Sequence, residues 1–274
     1  MSLRINSNIA ALTAARRLGQ AQRTAENAMD SLATGSRFSR ASNDPAGLAV
    51  AQTLQAQIQS NRAAQRNTDQ AISLVQVAEG GLNEQNNILI RLRELAVQSA
   101  SDTLSDTERE FLDLEFQELK SELDRIGKTT QFGSKKLLVG SGESFDFQVG
   151  INKGEENVVK YQLKTDTTAD GLGIDDLEVG EQDEALDSLA KIDDALIKTV
   201  GARADFGAIQ SRLQFAQTNS EIQDENMSAA RSRIADTDIA RATGELVRSQ
   251  IATQVATAVL SQANQSPESV IRLI

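Results

Sequence analysis

The sequence predicts a mainly α protein: a long antiparallel helical bundle or coiled coil with one small β-hairpin region. Three observations carry this. Apolar residues recur at steps of three and four over most of the chain, the period of a helix with one buried face. Proline occurs only twice in 274 residues, so little interrupts long helices. Aromatic residues make up 3%, with no Trp and a single Tyr. Ala, Leu, Ile and Val must then fill the core without the area that aromatic rings bury, which suits long helices in thin bundles.

The elements follow in order. In the first segment Ile5, Ile9, Leu12, Ala15, Ala25, Met29 and Leu32 approximate one helical face. The run TGSRFSRASND breaks that rhythm, and Asp44 before Pro45 reads as an N-cap with proline at the first helical position. A helix to about residue 100 follows. Val75, Leu82, Leu89 and Ala96 are seven apart, with Ala71, Ala78 and Leu92 in most alternate seam positions; Gly80-Gly81 is expected to loosen it. Ser105 and Glu108 have capping-box spacing for the next helix, whose seam is Leu112, Phe116, Leu119, Leu123 and Ile126. The strand signal lies at 144–163, where Phe145, Phe147, Val149 and Ile151, then Val159, Tyr161 and Leu163, alternate about an NKGEEN loop. TDTTADGLGIDDLEVG reads as a surface connection with little structure. From near Asp183 a long helix carries Phe206, Ile209, Leu213, Ala216, Ser220, Gln223, Met227, Ala230 and Ile234 at helical steps. The last segment is an amphipathic helix, with Val247, Ile251, Val255 and Val259 four apart.

Composition removes several functions. With no Cys and no His, neither a Ser-His-Asp triad, nor Cys-His catalysis, nor structural zinc is available. No glycine-rich phosphate loop or metal-loop pattern is visible, so neither cofactor nor enzymatic activity is expected. The net charge of −11 argues against nucleic acid as a partner. Residues 1–42 carry six Arg against Glu26 and Asp30, and residues 228–274 five Arg against four acids, so the middle is strongly acidic. The uncharged stretch Ser249–Ser266 is too rich in Gln, Ser, Thr and Asn to span lipid, so no membrane insertion is expected. The opening residues lack the continuous apolar core of a secretory signal, which alone points to the cytosol.

The plan is nearly palindromic. Weakly charged amphipathic helices at both ends flank heptad helices and a β patch. If the chain doubles back, the terminal helices pair and the hairpin marks the far tip. Such an arrangement exposes apolar stripes at both ends, and exposed stripes mark partner surfaces.

Seven blocks, in order, resemble bacterial flagellin: LRINSNIAAL, ASNDPAGLAVAQ, AEGGLNEQNNILIRLRELAVQSASDTLSDTER, TQFGSKKLL, FQVGINKGEEN, ARSRIADTDIARAT and VLSQANQSPESVIRLI. The resemblance implies an inner domain, D0, of residues 1–43 with 231–274. It implies a D1 domain at 44–230 with the hairpin near 144–163, and no inserted D2 or D3 domain. It implies a structural subunit that self-assembles into the helical flagellar filament of swimming bacteria. Leu3, Ile5, Ile9, Leu12, Val255, Val259, Val270, Ile271, Leu273 and Ile274 would then be buried between subunits in the filament core. It further implies an extracellular location reached by type III export without a cleaved signal peptide, and an export chaperone, a filament cap and hook-associated proteins as partners.

The stretch RLRELAVQSA resembles the segment that flagellins present to the host Toll-like receptor 5. Arg91, Leu95 and Gln98 match that motif, and Glu115 matches its acidic partner. Ile90 departs from the polar residue common in the family at its position. The alternative is a hook–filament junction (hook-associated) protein, which shares end helices of the same kind.

Overall fold

In a computed structural model of the chain, the described residues are 7–38 and 40–271, with side chains described as far as residue 265. Leu3, Ile5, Leu273 and Ile274 lie outside them, and of Val270 and Ile271 only the helical backbone is described. The chain forms two compact units: Met1–Ile58 with Asn226–Ile274, and Gln59–Glu225. The chain passes between them inside two long helices.

In the first unit α1 (Ile9–Thr34) pairs with α6 (Ile239–Ile271). Asn8 caps α1 by accepting from the Ala11 amide at 2.9 Å, while its own amide nitrogen donates to the Ala263 carbonyl at 2.8 Å. At the other end of α1, Gly35 takes φ 67°, the left-handed C-cap conformation. Ser36 then bridges to Asp236, the Arg37 amide donates to the Ala235 carbonyl, and the Thr237 amide to the Gly35 carbonyl. The helices are therefore antiparallel and tied at both ends. Their seam is made of small side chains: Ala14, Ala28, Ala242 and Ser249 are the buried residues. Small residues allow close axes, and the larger aliphatic side chains of α1 stay outside the seam. Ile9 and Leu12 are each 64% exposed, and Met29 is exposed too.

The second unit is built on α2 (Pro45–Ser99), α3 (Asp106–Thr129) and α5 (Gln182–Ala235). Asp44 caps α2, accepting from the Gly47 amide at 2.9 Å. The heptad seam of α2 is buried as expected at Ala71, Val75, Ala78, Leu82, Leu89, Leu92 and Ala96. Gly80 and Gly81 do not loosen the helix. A Cβ on Gly81 would come 2.7 Å from the Thr130 hydroxyl, so this glycine admits a close neighbour. The Ser105–Glu108 capping box forms, and the Ser105 amide and hydroxyl hold the Glu108 carboxyl below its ordinary pKa. Phe116 and Leu123 bury the inner face of α3.

Strands β3 (Ser144–Gln148) and β4 (Val158–Gln162) form the expected antiparallel hairpin, with Phe145 opposite Tyr161 and Phe147 opposite Val159. A second pair, β1 (Gln131–Phe132) with β2 (Lys135–Lys136), turns about Gly133 and is too short for alternation to reveal. On α5 the seam of Phe206, Leu213 and Ser220 is buried, but Gln223 is exposed.

The segment read as a surface connection is core instead. Residues 166–181 contain α4 (Ala169–Leu172), and Thr167, Ala169, Leu172, Ile174, Leu177 and Val179 are all at most 3% exposed. The five apolar side chains among these step by three and two in turn, neither the helical nor the strand period, which is why no such signal appears. They join Leu89, Leu92, Phe116 and Ile192 in one apolar cluster; Leu82, Leu138, Phe145, Phe206 and Leu213 belong to another.

Leu82 is fully buried in the hairpin-side cluster. Leu82→Ala is expected to destabilise the second unit by about 2–5 kcal/mol, read from urea unfolding followed by circular dichroism. An unchanged midpoint would contradict the packing.

Candidate functional site

Two surfaces stand out. On the α1–α6 pair the small-residue seam leaves large aliphatic side chains outside. Ile9 and Leu12 on α1 and Val247, Ile251, Val255 and Val259 on α6 are all more than half exposed. Residues four apart advance about 40° around a helix, so the α6 row winds around its axis. Between the helices lies an open groove of about 700 Å³, walled by Ala10, Ala14, Ala252 and Val255 and flanked by Arg17 and Arg248. The residues of this unit include no Lys at all; Arg is the cation throughout. Arg keeps its charge and offers a rigid fork of donors, which suits contacts that exclude water.

The second surface lies where α3 packs on α2. Arg91 donates to Glu115 Oε1 from Nη2 at 2.7 Å and from Nε at 2.9 Å, and from Nη1 to Glu94 at 3.0 Å. These bonds, to Glu115 first and Glu94 second, raise the guanidinium pKa above its already high value. Gln98 is exposed two turns beyond Arg91 along α2. Ile90, Val97, Phe111 and Leu114 are also exposed on these two helices. Leu95 is not available to a partner. It is 1% exposed, inside the apolar cluster that holds Phe116 and Leu112. α3 covers this flank of α2. Of the four residues expected to meet a receptor, Arg91, Gln98 and Glu115 are exposed and Leu95 is buried.

A third feature was missed. Leu186, Ile197, Val200, Phe215 and Ile222 of α5 are all exposed. At 3.6 residues per turn their spacings return to nearly one angle, so the row was legible. It was hidden because the seam on the opposite face supplies an equally regular pattern. Among the described residues, no group of three acidic side chains is arranged to hold a metal ion, and no helix is long and apolar enough to cross a membrane.

Residues 5–143 match the bacterial flagellin N-terminal helical region, and residues 189–274 match the C-terminal helical region. The chain belongs to the bacterial flagellin family. A flagellin of Halalkalibacterium halodurans is 38% identical over 271 residues, covering 98% of this chain and 99% of the relative. The flagellar filament 33 kDa core protein of Treponema phagedenis is 35% identical, again over 98% and 99%. The crystal structure of Bacillus cereus flagellin superposes with a TM-score of 0.51 at 31% identity, over 61% of this chain and 94% of that one. A putative hook-associated protein of Vibrio parahaemolyticus shares the fold, with a TM-score of 0.60, at 17% identity; it covers 71% of this chain and 100% of that one. Flagellins are structural proteins, and this one is not an enzyme.

Because Val255 is 57% exposed in the single chain, Val255→Ser is expected to leave unfolding of this flagellin monomer unchanged within about 0.5 kcal/mol. A large loss of stability in dilute solution would place that side chain in a core the monomer already has.

Proposed function

We propose that this flagellin polymerises into the helical filament of a bacterial flagellum, outside the cell, and that the α1–α6 pair is its principal assembly surface. The observation that carries the reading is the apolar row left uncovered on that pair: Ile9, Leu12, Val247, Ile251, Val255 and Val259. Covering one such side chain is worth about 1.5–3 kcal/mol before ordering costs, and each added subunit repeats the gain. A heterologous contact that does not close on itself generates a helix of subunits. The name of the Treponema relative, a filament core protein, supports the same role.

On this reading the terminal helices form the inner domain D0 and residues 44–230 form D1, with no further domain inserted. Leu3, Ile5, Val270, Ile271, Leu273 and Ile274 extend the core contact. Export through the type III apparatus without a cleaved signal, an export chaperone, a filament cap and hook-associated neighbours belong to the same proposal. The identity to relatives named flagellin favours a filament subunit over a junction protein.

Seeded polymerisation followed by sedimentation and electron microscopy tests the assembly surface. The full chain is expected to form filaments. The Val255→Asp, Val259→Asp double variant is expected to remain monomeric with an unchanged circular dichroism spectrum. Filaments of equal length from both would move the decisive contacts elsewhere.

The exposed ion pair favours a second role, as a ligand of host Toll-like receptor 5 through Arg91, Gln98 and Glu115. Removing the Arg91 guanidinium leaves Glu115 without its bridge, so Arg91→Ala is expected to weaken receptor activation in a reporter-cell assay. Activation equal to that of the unaltered protein would remove the assignment.

A further inference from the structure

Residues 166–181 cross the second unit as a strap whose backbone is held largely by side chains of its neighbours. Four come from one flank of α3. Asp113 accepts from the Val179 amide at 2.9 Å, and Asp124 accepts from the Ala169 amide at 3.3 Å. Gln117 donates to the Leu177 carbonyl at 3.0 Å; Lys120 donates to the same carbonyl at 3.1 Å and to that of Asp175. Positions 113, 117, 120 and 124 repeat one helical face. That face carries polar and charged side chains, and in the structure it grips the strap.

The other helices complete the grip. Lys198 of α5 donates to the carbonyls of Gly171 and Leu172 at 3.1 and 3.2 Å, and the Ser99 hydroxyl of α2 donates to that of Val179. Gln85 of α2 is fully buried at a seam position that is otherwise aliphatic. Its amide nitrogen donates both to Thr167 of the strap, at 2.9 Å, and to Leu123 of α3, at 3.2 Å. A buried amide in such a seam fixes one register among those an aliphatic residue would permit. The outward flank of α3 carries Glu115, which meets Arg91. This helix is thus held between the strap on one side and the recognition face on the other.

We infer that the strap is a clasp that sets the position of α3, and that Asp113, Gln117, Lys120 and Asp124 are positioning residues for the Arg91–Glu115 face. They touch no partner; they place the helix whose far side does. The biological consequence rests on the reading of that face as a recognition surface. The mechanical statement does not.

The experiment uses the full chain as Asp113→Ala/Asp124→Ala, as Lys120→Met, and as Glu115→Ala for comparison. Amide hydrogen exchange and receptor activation are both measured. In the double variant the amides of 106–129 are expected to exchange at least about tenfold faster, with β3, β4 and α6 unchanged, and activation is expected to fall severalfold. Glu115→Ala is expected to lower activation without speeding exchange in α3. Unchanged exchange in α3, or acceleration shared equally by the β3–β4 hairpin, overturns the clasp. So does a loosened α3 with full activation, if Glu115→Ala is impaired. Should the double variant fail to fold, Lys120→Met decides on the same readouts. Full activation by Glu115→Ala would instead remove the recognition reading, leaving exchange to judge the clasp alone.

Discussion

The pairing of long helices along seams of small side chains is the constraint on which the rest depends. A helix whose contact stripe is alanine can approach its partner closely, but it buries little area there. In the α1–α6 pair the seam is Ala14, Ala28, Ala242 and Ser249, and the larger Ile, Leu and Val side chains remain outside. The second unit meets the same shortage differently. Along α2, Ala71, Ala78 and Ala96 alternate with Val75, Leu82, Leu89 and Leu92, and α3, α5, the hairpin and the strap cover them. The second unit encloses two apolar clusters beside its exposed residues, while the first leaves its large aliphatic side chains outside a seam of small ones.

That contrast explains what was legible in the sequence. The existence of the long helices, the caps at Asp44 and Ser105, the α2 seam and the place of the hairpin all rest on local patterns, and local patterns were sufficient. The facing of α1 was not local. Ile9, Leu12 and Met29 form a face by spacing, and spacing alone cannot say whether the cover is the same chain or another. The burial of Leu95 was not local either: a motif names positions along a helix, but burial depends on what crosses it. The strap left no trace because its apolar residues keep neither the helical nor the strand period and its hydrogen bonds are made by distant side chains.

The buried polar groups then take on a definite role. Gln85, Ser99 and Arg109 lie within or beside the aliphatic seam, and each is committed to backbone carbonyls: Thr167 and Leu123 for Gln85, Val179 for Ser99, Ser99 and Ser101 for Arg109. Arg109 reaches back to the carbonyl end of α2, where a cation also meets the negative end of the helix dipole. Apolar packing supplies the stability of this unit, while these groups choose one alignment of helices and strap. The recognition face proposed across α2 and α3 needs that single alignment.

The central claim is that the row on α6 is open in the monomer and covered by assembly. The chain has no cysteine, so a single Val255→Cys supplies an unambiguous probe. The rate of maleimide addition would be measured on dilute monomer and on sedimented filaments of the same variant. The account predicts rapid addition to the monomer and at least about tenfold protection in the filament, as expected for a side chain moved into a close-packed interface. Equal rates in the two states would contradict it.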